Sequence, residues 1–274
     1  MANKKIQGPK VLFLDIETKP ILAHVWSLWE NNVGLNQIES DWSVLSISAN
    51  WLHEPDALAN VMYRDNRASA DLENDKALLE WAWDLLDEAD IVVTQNGKRF
   101  DIPKLFARMV IQRVRGGKPP RSFRQIDTKE IASKRFGFTS NKLEYMTDKL
   151  CVRWKKLKHK KFPGHELWVE CMKNNQDAWR EMEKYNKVDV LSLRELWVKI
   201  RAWDGSINFR LYDDKISSEC GLCGGKMRQN GKRYVTGVGV FQRYRCGKCG
   251  AEERSRSTLV DSLKNASVRG KVCR

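Results

Sequence analysis

The sequence predicts an α/β domain over residues 1–205, a mixed sheet covered by helices, followed by a small metal-held ribbon. Three observations point there. Apolar strand patterns come first and then alternate with helical ones, the order of a mixed sheet flanked by helices. The longest helical pattern of the chain runs over 177–203 and ends at Gly205. Beyond it lies a short, Gly-rich, strand-prone stretch holding two Cys-x-x-Cys pairs.

Taken in order, Lys10 to Ile16 is a buried strand, because Val11, Leu12, Phe13 and Leu14 are all apolar. Ala23–Trp29 and Val44–Trp51 are predicted as the next two strands of an antiparallel meander. Asp75 to Asp87 carries the helical period, with Leu78, Leu79, Trp81, Trp83, Leu85 and Leu86 including the core stripe. Ile91–Thr94 is a β-branched strand broken by Gln95-Asn96-Gly97, and Pro103 to Arg113 restarts as a helix with proline early, where it is tolerated. Arg124–Asp127 is a further strand, and helices follow at Lys129–Phe136 and Leu143–Leu150. Residues 152–166 read as a basic loop. In the last long helix Trp179, Met182, Leu193, Leu196 and Ile200 face inward. Most of the eleven tryptophans fall in such patterns and are expected in the core. Residues 206–214 read as a linker, 215–257 as the ribbon and 258–274 as a basic tail.

The net charge of +14 is unevenly spread. Residues 1–97 hold 7 Lys/Arg against 16 Asp/Glu, whereas residues 98–164 hold 20 against 5. Residues 215–257 return to a net +7. Blocks this basic attract polyanions. The densest, around Lys155, Lys156, Lys158, Lys160 and Lys161, is a candidate nucleic-acid contact. No apolar run approaches the roughly 18 residues of a membrane span. The N-terminal MANKKIQGPK turns directly into a strand without a secretory core, so a cytoplasmic location is expected, with no membrane partner.

Acidic residues stand in three places where stability alone would not put them. Asp15 and Glu17 end an apolar strand and, two residues apart, point to one face, about 6–7 Å from each other. Two such carboxylates repel unless a cation lies between them, and oxygen donors suit a hard divalent ion. Asp101 closes Asn96-Gly97-Lys98-Arg99-Phe100-Asp101, where a strand gives way to a helix. Tyr185 and Asp189, at i and i+4, share one face of the long helix. Asp127 is expected as the N-cap of the helix after it.

Asp15-x-Glu17, Asn96-x-x-x-Phe100-Asp101 and Tyr185-x-x-x-Asp189 together resemble the three motifs of the DEDDy 3′–5′ exonucleases. That family has a ribonuclease-H-like fold and includes the proofreading domains of family B DNA polymerases. The resemblance covers residues 10–200, and the whole chain is similar to phage-encoded stand-alone exonucleases ending in a zinc ribbon. It implies two Mg²⁺ or Mn²⁺ ions held by Asp15, Glu17, Asp101 and Asp189. It also implies that Tyr185 orients or helps deprotonate the attacking water, while Asn96 and Phe100 hold the strand end. The expected reaction is release of nucleoside 5′-monophosphates from a DNA 3′ end, with RNA, or binding without catalysis, as the alternatives. Nothing after residue 205 is long enough to be a polymerase. Proofreading would therefore imply a polymerase, or another replication protein, as a separate partner; host cytoplasm is the location a phage origin would imply.

Cys220-Gly-Leu-Cys223-Gly and Cys246-Gly-Lys-Cys249-Gly give C-x2-C-x22-C-x2-C. Two such knuckles predict one tetrahedral, structural Zn²⁺ with four thiolates. So small a domain buries little, and the metal is expected to supply its folding energy. Its surface role is expected to be a grip on nucleic acid through Arg233, Arg243 and Arg245, with docking to a protein partner as the alternative.

Overall fold

A computed structural model describes residues 8–29, 32–54, 60–157, 161–212 and 217–270. The chain forms two compact units, Pro9–Lys199 and a second that takes in Ile200 onward. Among the described residues no helix is long and apolar enough to cross a membrane.

The first unit is built on a five-stranded sheet. Its strands are β1 (Val11–Thr18), β4 (Val44–Trp51), β5 (Met62–Asp65), β6 (Ile91–Thr94) and β7 (Arg124–Asp127), after a two-stranded arm of β2 (Leu22–Ala23) and β3 (Ile38–Ser40). The spatial order is β5-β4-β1-β6-β7. β4 runs antiparallel to β1, and β6 and β7 run parallel to it. The sheet is therefore mixed, and helices cover both faces. β1 sits at its centre, so its four leading residues are fully buried.

Side-chain alternation along β1 assigns the two faces. Leu12, Leu14 and Ile16 join a cluster with Leu78, Leu79, Leu85 and Leu86 of α1 (Lys76–Glu88) and Ile102 and Leu105 of α2 (Asp101–Ile111). Phe13 points the other way and meets Trp197 edge-on, with ring centroids 5.5 Å apart. Trp197 belongs to α6 (Gln176–Ile200), the 25-residue helix the sequence pattern predicts. The inward positions Trp179, Met182, Leu193, Leu196 and Ile200 are all buried. A short helix, α5 (Glu166–Met172), packs on α6 through Leu167 and Cys171. Helices α3 (Thr128–Arg135) and α4 (Leu143–Leu150) lie where they are expected.

Two expectations need correction. Ala23–Trp29 is not a strand of the meander. Only Leu22 and Ala23 pair, with Ser40 and Ile38, and beyond them Trp26, Leu28 and Trp29 are exposed. The apolar spelling of this segment resembles a strand, yet among the described residues no sheet edge pairs with it beyond Ala23. These tryptophans also depart from the expected core placement. The third antiparallel strand is β5 instead, whose alternation in Met62-Tyr63-Arg64-Asp65 is too short to stand out.

One buried ion pair ties the loop before α1 to the sheet. Arg108 of α2 donates from Nε and Nη2 to the two oxygens of Asp75, at 2.9 and 2.8 Å. Asp75 also accepts the Val44 amide at 2.9 Å, and neither side chain of the pair is more than 6% exposed. Removing one partner would leave the other charged and buried. Arg108→Ala is expected to destabilise the chain by about 3–5 kcal/mol in urea unfolding; a loss under about 1 kcal/mol would contradict this account.

In the second unit β8 (Met227–Val235), β9 (Val240–Cys246) and β10 (Glu252–Arg254) form an antiparallel sheet in the order β10-β9-β8. A one-and-a-half-turn helix, α7 (Ser262–Ser267), follows within the stretch expected as a tail. Residues 206–212, expected as part of a linker, pack on the ribbon. The Phe209 amide donates to the Gly221 carbonyl at 2.6 Å, and Arg210 reaches the Ser217 carbonyl and Glu253.

Candidate active site

The central strand delivers two carboxylates to the α6 face, because Asp15 and Glu17 alternate in step with Phe13. α6 brings Asp189 opposite them. Oxygens of Asp15, Glu17 and Asp189 all lie within 4.8 Å of one another. Asp101, at the start of α2, accepts the Ile16 amide at 3.2 Å and is 3% exposed. All four line one cavity of about 210 Å³, together with Asn96, Phe100 and Lys156.

The turn carrying Asn96 and Phe100 is held from beneath by Asp127. Its carboxylate caps α3 through the Lys129 amide at 2.9 Å, as expected, and also accepts the amides of Asn96 at 2.9 Å and Lys98 at 3.4 Å. Asn96 takes a left-handed backbone, φ 67°. A Cβ at Gly97 would lie 2.3 Å from Thr94 Oγ1, so only glycine fits there. Lys129 Nζ donates to Asn96 Oδ1 at 3.1 Å, fixing that side chain at the cavity rim. Phe100 is 38% exposed, and Lys104 Nζ lies 5.2 Å from its ring centre and 3.6 Å from that of Trp42.

Electrostatics follow from this crowding. Burial, and then Asp101, Asp189 and Glu17, hold the Asp15 carboxyl well above its ordinary range. Burial, and then Asp189, push Glu17 up to about 8. Burial raises Asp101 to about 7, against the pull of the Ile16 amide. Tyr185 is raised by burial and by Asp189. Such a set of crowded, buried oxygen donors, with Asp15, Glu17 and Asp101 held above their ordinary range, suits divalent cations.

Three partners of the carboxylates were not visible in the sequence. Asn186 Nδ2 donates to Asp15 Oδ2 at 2.6 Å, and Ser46 Oγ donates to Asn186 Oδ1 at 3.2 Å. Trp168 Nε1 of α5 donates to Glu17 Oε2 at 3.1 Å, its ring edge-on to Tyr185 with centroids 6.0 Å apart. Asn186 neighbours a motif residue and offered a signal; Trp168 looked like an ordinary helical aromatic. Lys156, expected as a nucleic-acid contact of the basic loop, reaches inward. Its ammonium lies 2.6 Å from Asp189 Oδ2 and 4.6 Å from the Tyr185 ring centre. Burial opposes its charge, but Asp189, Tyr185 and Asp15 outweigh that and raise its pKa. Attraction to Asp189, Asp15 and Glu17 overrides the surface preference of lysine.

Among the described residues, Lys155 and Lys161 of the basic loop are not gathered at the site. Lys155 pairs with Asp148 and Lys161 with Asp177, both at the surface. Lys158 and Lys160 lie outside the described residues.

In the second unit the four cysteine sulfurs lie within 4.8 Å of one another, with Cys220–Cys249 and Cys223–Cys246 both at 3.6 Å. A tetrahedron of thiolates around Zn²⁺ requires about 3.8 Å between sulfurs, so the donor set fits. Gly224 and Gly250 have φ of 67° and 76°, the left-handed turn each knuckle needs. Amides of Lys248 and Cys249 point at the Cys246 sulfur, at 3.3 and 3.5 Å. Against the effect of burial, they and the neighbouring thiols lower its pKa to about 6. Arg243 and Arg245 lie on β9, and Arg233 on β8.

A sequence profile of the RNase_H superfamily matches residues 52–201, more than half of the chain. No curated protein sequence matches it. Among solved structures, the fold is similar to the family B DNA polymerase of the hyperthermophilic archaeon Pyrobaculum calidifontis. The TM-score is 0.50 at 17% identity, over 71% of this chain and 25% of that one. The chain thus spans about a quarter of that polymerase's length.

The raised carboxyls make stability depend on pH in a defined sense. Between the ordinary 4.5 and about 8, folded Glu17 holds a proton that the unfolded chain has released. The protein without Mg²⁺ or Mn²⁺ therefore loses stability as pH rises through that window. Thermal unfolding at pH 5 and pH 8 of protein that keeps its zinc but is dialysed free of Mg²⁺ and Mn²⁺ should show a lower melting temperature at pH 8, with added Mn²⁺ recovering it. Dialysed protein that is more stable at pH 8 would contradict the assignment.

Proposed function

The chain belongs to the RNase_H superfamily, and from that premise we propose that it is a metal-dependent 3′–5′ exonuclease acting on DNA. The observation that carries the proposal is the convergence of Asp15, Glu17 and Asp189 within 4.8 Å, with Asp101 on the same cavity. These are the carboxylates of the three motifs that resemble the DEDDy exonucleases. The choice of DNA is supported by the similar solved structure being a DNA polymerase.

Two Mg²⁺ or Mn²⁺ ions held by the four carboxylates would polarise the scissile phosphate, activate water and neutralise charge on the departing 3′ oxygen. The chain's own groups have separable tasks. Asp15 and Glu17 enter on a rigid central strand, so their spacing is set by the pleat rather than by loop motion. Asn186 orients Asp15, and Trp168 orients Glu17. Tyr185, one helical turn before Asp189, holds the water in line. Its raised pKa means that it keeps its proton and donates a hydrogen bond. Asn96 and Phe100, on the rim, take the terminal nucleotide, Phe100 by stacking on the base. Lys156 offers the one ammonium lining the described cavity and draws phosphate toward the acidic centre. In the second unit the four cysteines hold one structural Zn²⁺, leaving no open position for catalysis.

The test uses 5′-labelled DNA and RNA of one sequence, with Mg²⁺ or EDTA. A ladder shortening from the 3′ end, only with metal and faster on DNA, is expected; Asp15→Asn should reduce it by at least about 10³-fold. Faster RNA shortening would move the substrate to RNA. No ladder on either strand, from protein containing its zinc, would favour a binding module. A second prediction isolates the indole hydrogen bond. Trp168→Phe keeps the ring against Tyr185 but frees Glu17, and should raise the Mn²⁺ concentration for half-maximal rate by about 10–100-fold. An unaltered metal dependence would make Trp168 a packing residue only.

A further inference from the structure

Strand register sorts the ribbon's side chains onto two faces. In β9, Phe241, Arg243 and Arg245 alternate with Gln242, Tyr244 and Cys246. Directly paired residues share a face. β8 pairs Arg228 with Arg245 and Tyr234 with Phe241, and β10 pairs Arg254 with Arg243 and Glu252 with Arg245. One face therefore gathers four arginines, two aromatic rings and a single carboxylate. Met227, Tyr244 and Cys246 fall on the other, the side of the cysteine knuckles. Arg233 pairs with Gln242 and also falls there, so it does not join the basic face on which it was expected with Arg243 and Arg245.

The outer face is open. Arg228, Arg245 and Arg254 are exposed, and Tyr234 is 44% exposed. Its members already stack on one another. The Arg254 guanidinium carbon lies 4.2 Å from the Phe241 ring centre and 5.5 Å from that of Tyr234. Glu252 is engaged by Arg243. Planar cations interleaved with rings on a flat sheet offer stacking for bases and ion pairs for phosphates. A duplex hides its base faces, so only an unpaired strand can use both.

We propose that this face of the ribbon binds single-stranded nucleic acid by stacking bases on Tyr234 and Phe241 and pairing phosphates with Arg228, Arg243, Arg245 and Arg254. The surface fits a strand better than a protein partner, because four like charges around two rings match a polyanion with flat apolar faces. Such a face extends the nuclease reading by giving its substrate a second point of attachment, yet it stands on the ribbon alone.

The test measures binding of the full chain, in Ca²⁺, to a fluorescent 20-nucleotide single strand, the matching blunt duplex, and an abasic strand of equal charge. The single strand is expected to bind at least tenfold more tightly than the abasic one. Arg228→Glu with Arg245→Glu should weaken single-strand binding by at least tenfold. The slope of log affinity against log salt should also become shallower, by about 0.7 for each phosphate ion pair removed. Tyr234→Ala should remove most of the difference between normal and abasic strands. Zinc content is measured in every variant, and Arg245→Lys, which keeps the charge, should retain most affinity. Unchanged affinity in the double variant, or equal losses on normal and abasic strands in Tyr234→Ala, would overturn the proposal. Cleavage by the unaltered chain is scored separately. Weakened binding without any cleavage keeps the ribbon inference and overturns the nuclease reading; cleavage with unaffected binding does the reverse.

Discussion

The fold of the first unit depends on holding mutually repelling carboxylates together at the end of a buried strand. Four acids line one small cavity, burial and neighbouring acids raise the proton affinity of Asp15 and Glu17, and burial raises that of Asp101. The cost is met by the surroundings. A fully apolar strand centre fixes Asp15 and Glu17, the Phe13–Trp197 contact fixes α6 against them, and the Ile16 amide receives Asp101. Asn186, Trp168 and Lys156 then supply donors to three of the four acids. Each donor comes from an element packed on the same face of the sheet or from the chain leading into it, so helix packing and site electrostatics are one arrangement.

Much of this was legible in the sequence because it is written locally. The apolar run of β1, the two-residue spacing of Asp15 and Glu17, and the i, i+4 pair Tyr185 and Asp189 each follow from a single periodicity. The cysteine knuckles are equally local. What escaped was long-range. Lys156 belongs to a basic run and reads as solvated until α6 places an acid beside it. Trp168 is separated from Glu17 by 151 residues, and no periodicity connects them. The arm between β1 and β4 misled for the opposite reason, since its apolar spelling carries strand propensity without a partner strand. β5 was lost because four residues are too few for alternation to register.

The two units keep their shape by different means. The first has a sheet between two apolar clusters and a buried Arg108–Asp75 pair, the ordinary resources of a domain of this size. The second has a three-stranded sheet with mostly exposed residues and four converging sulfurs. Cationic and aromatic groups fill strand positions on its outer face.

Placing Asp15 on the first strand and Asp189 on the last helix of the unit has a temporal consequence. A chain emerging from the ribosome displays Asp15, Glu17 and Asp101 long before α6 exists, and those three do not close the cavity by themselves. Contacts of such sequence separation form late in folding. The acidic centre is thus completed only as α6 docks, and a chain ending before residue 189 lacks its fourth carboxylate.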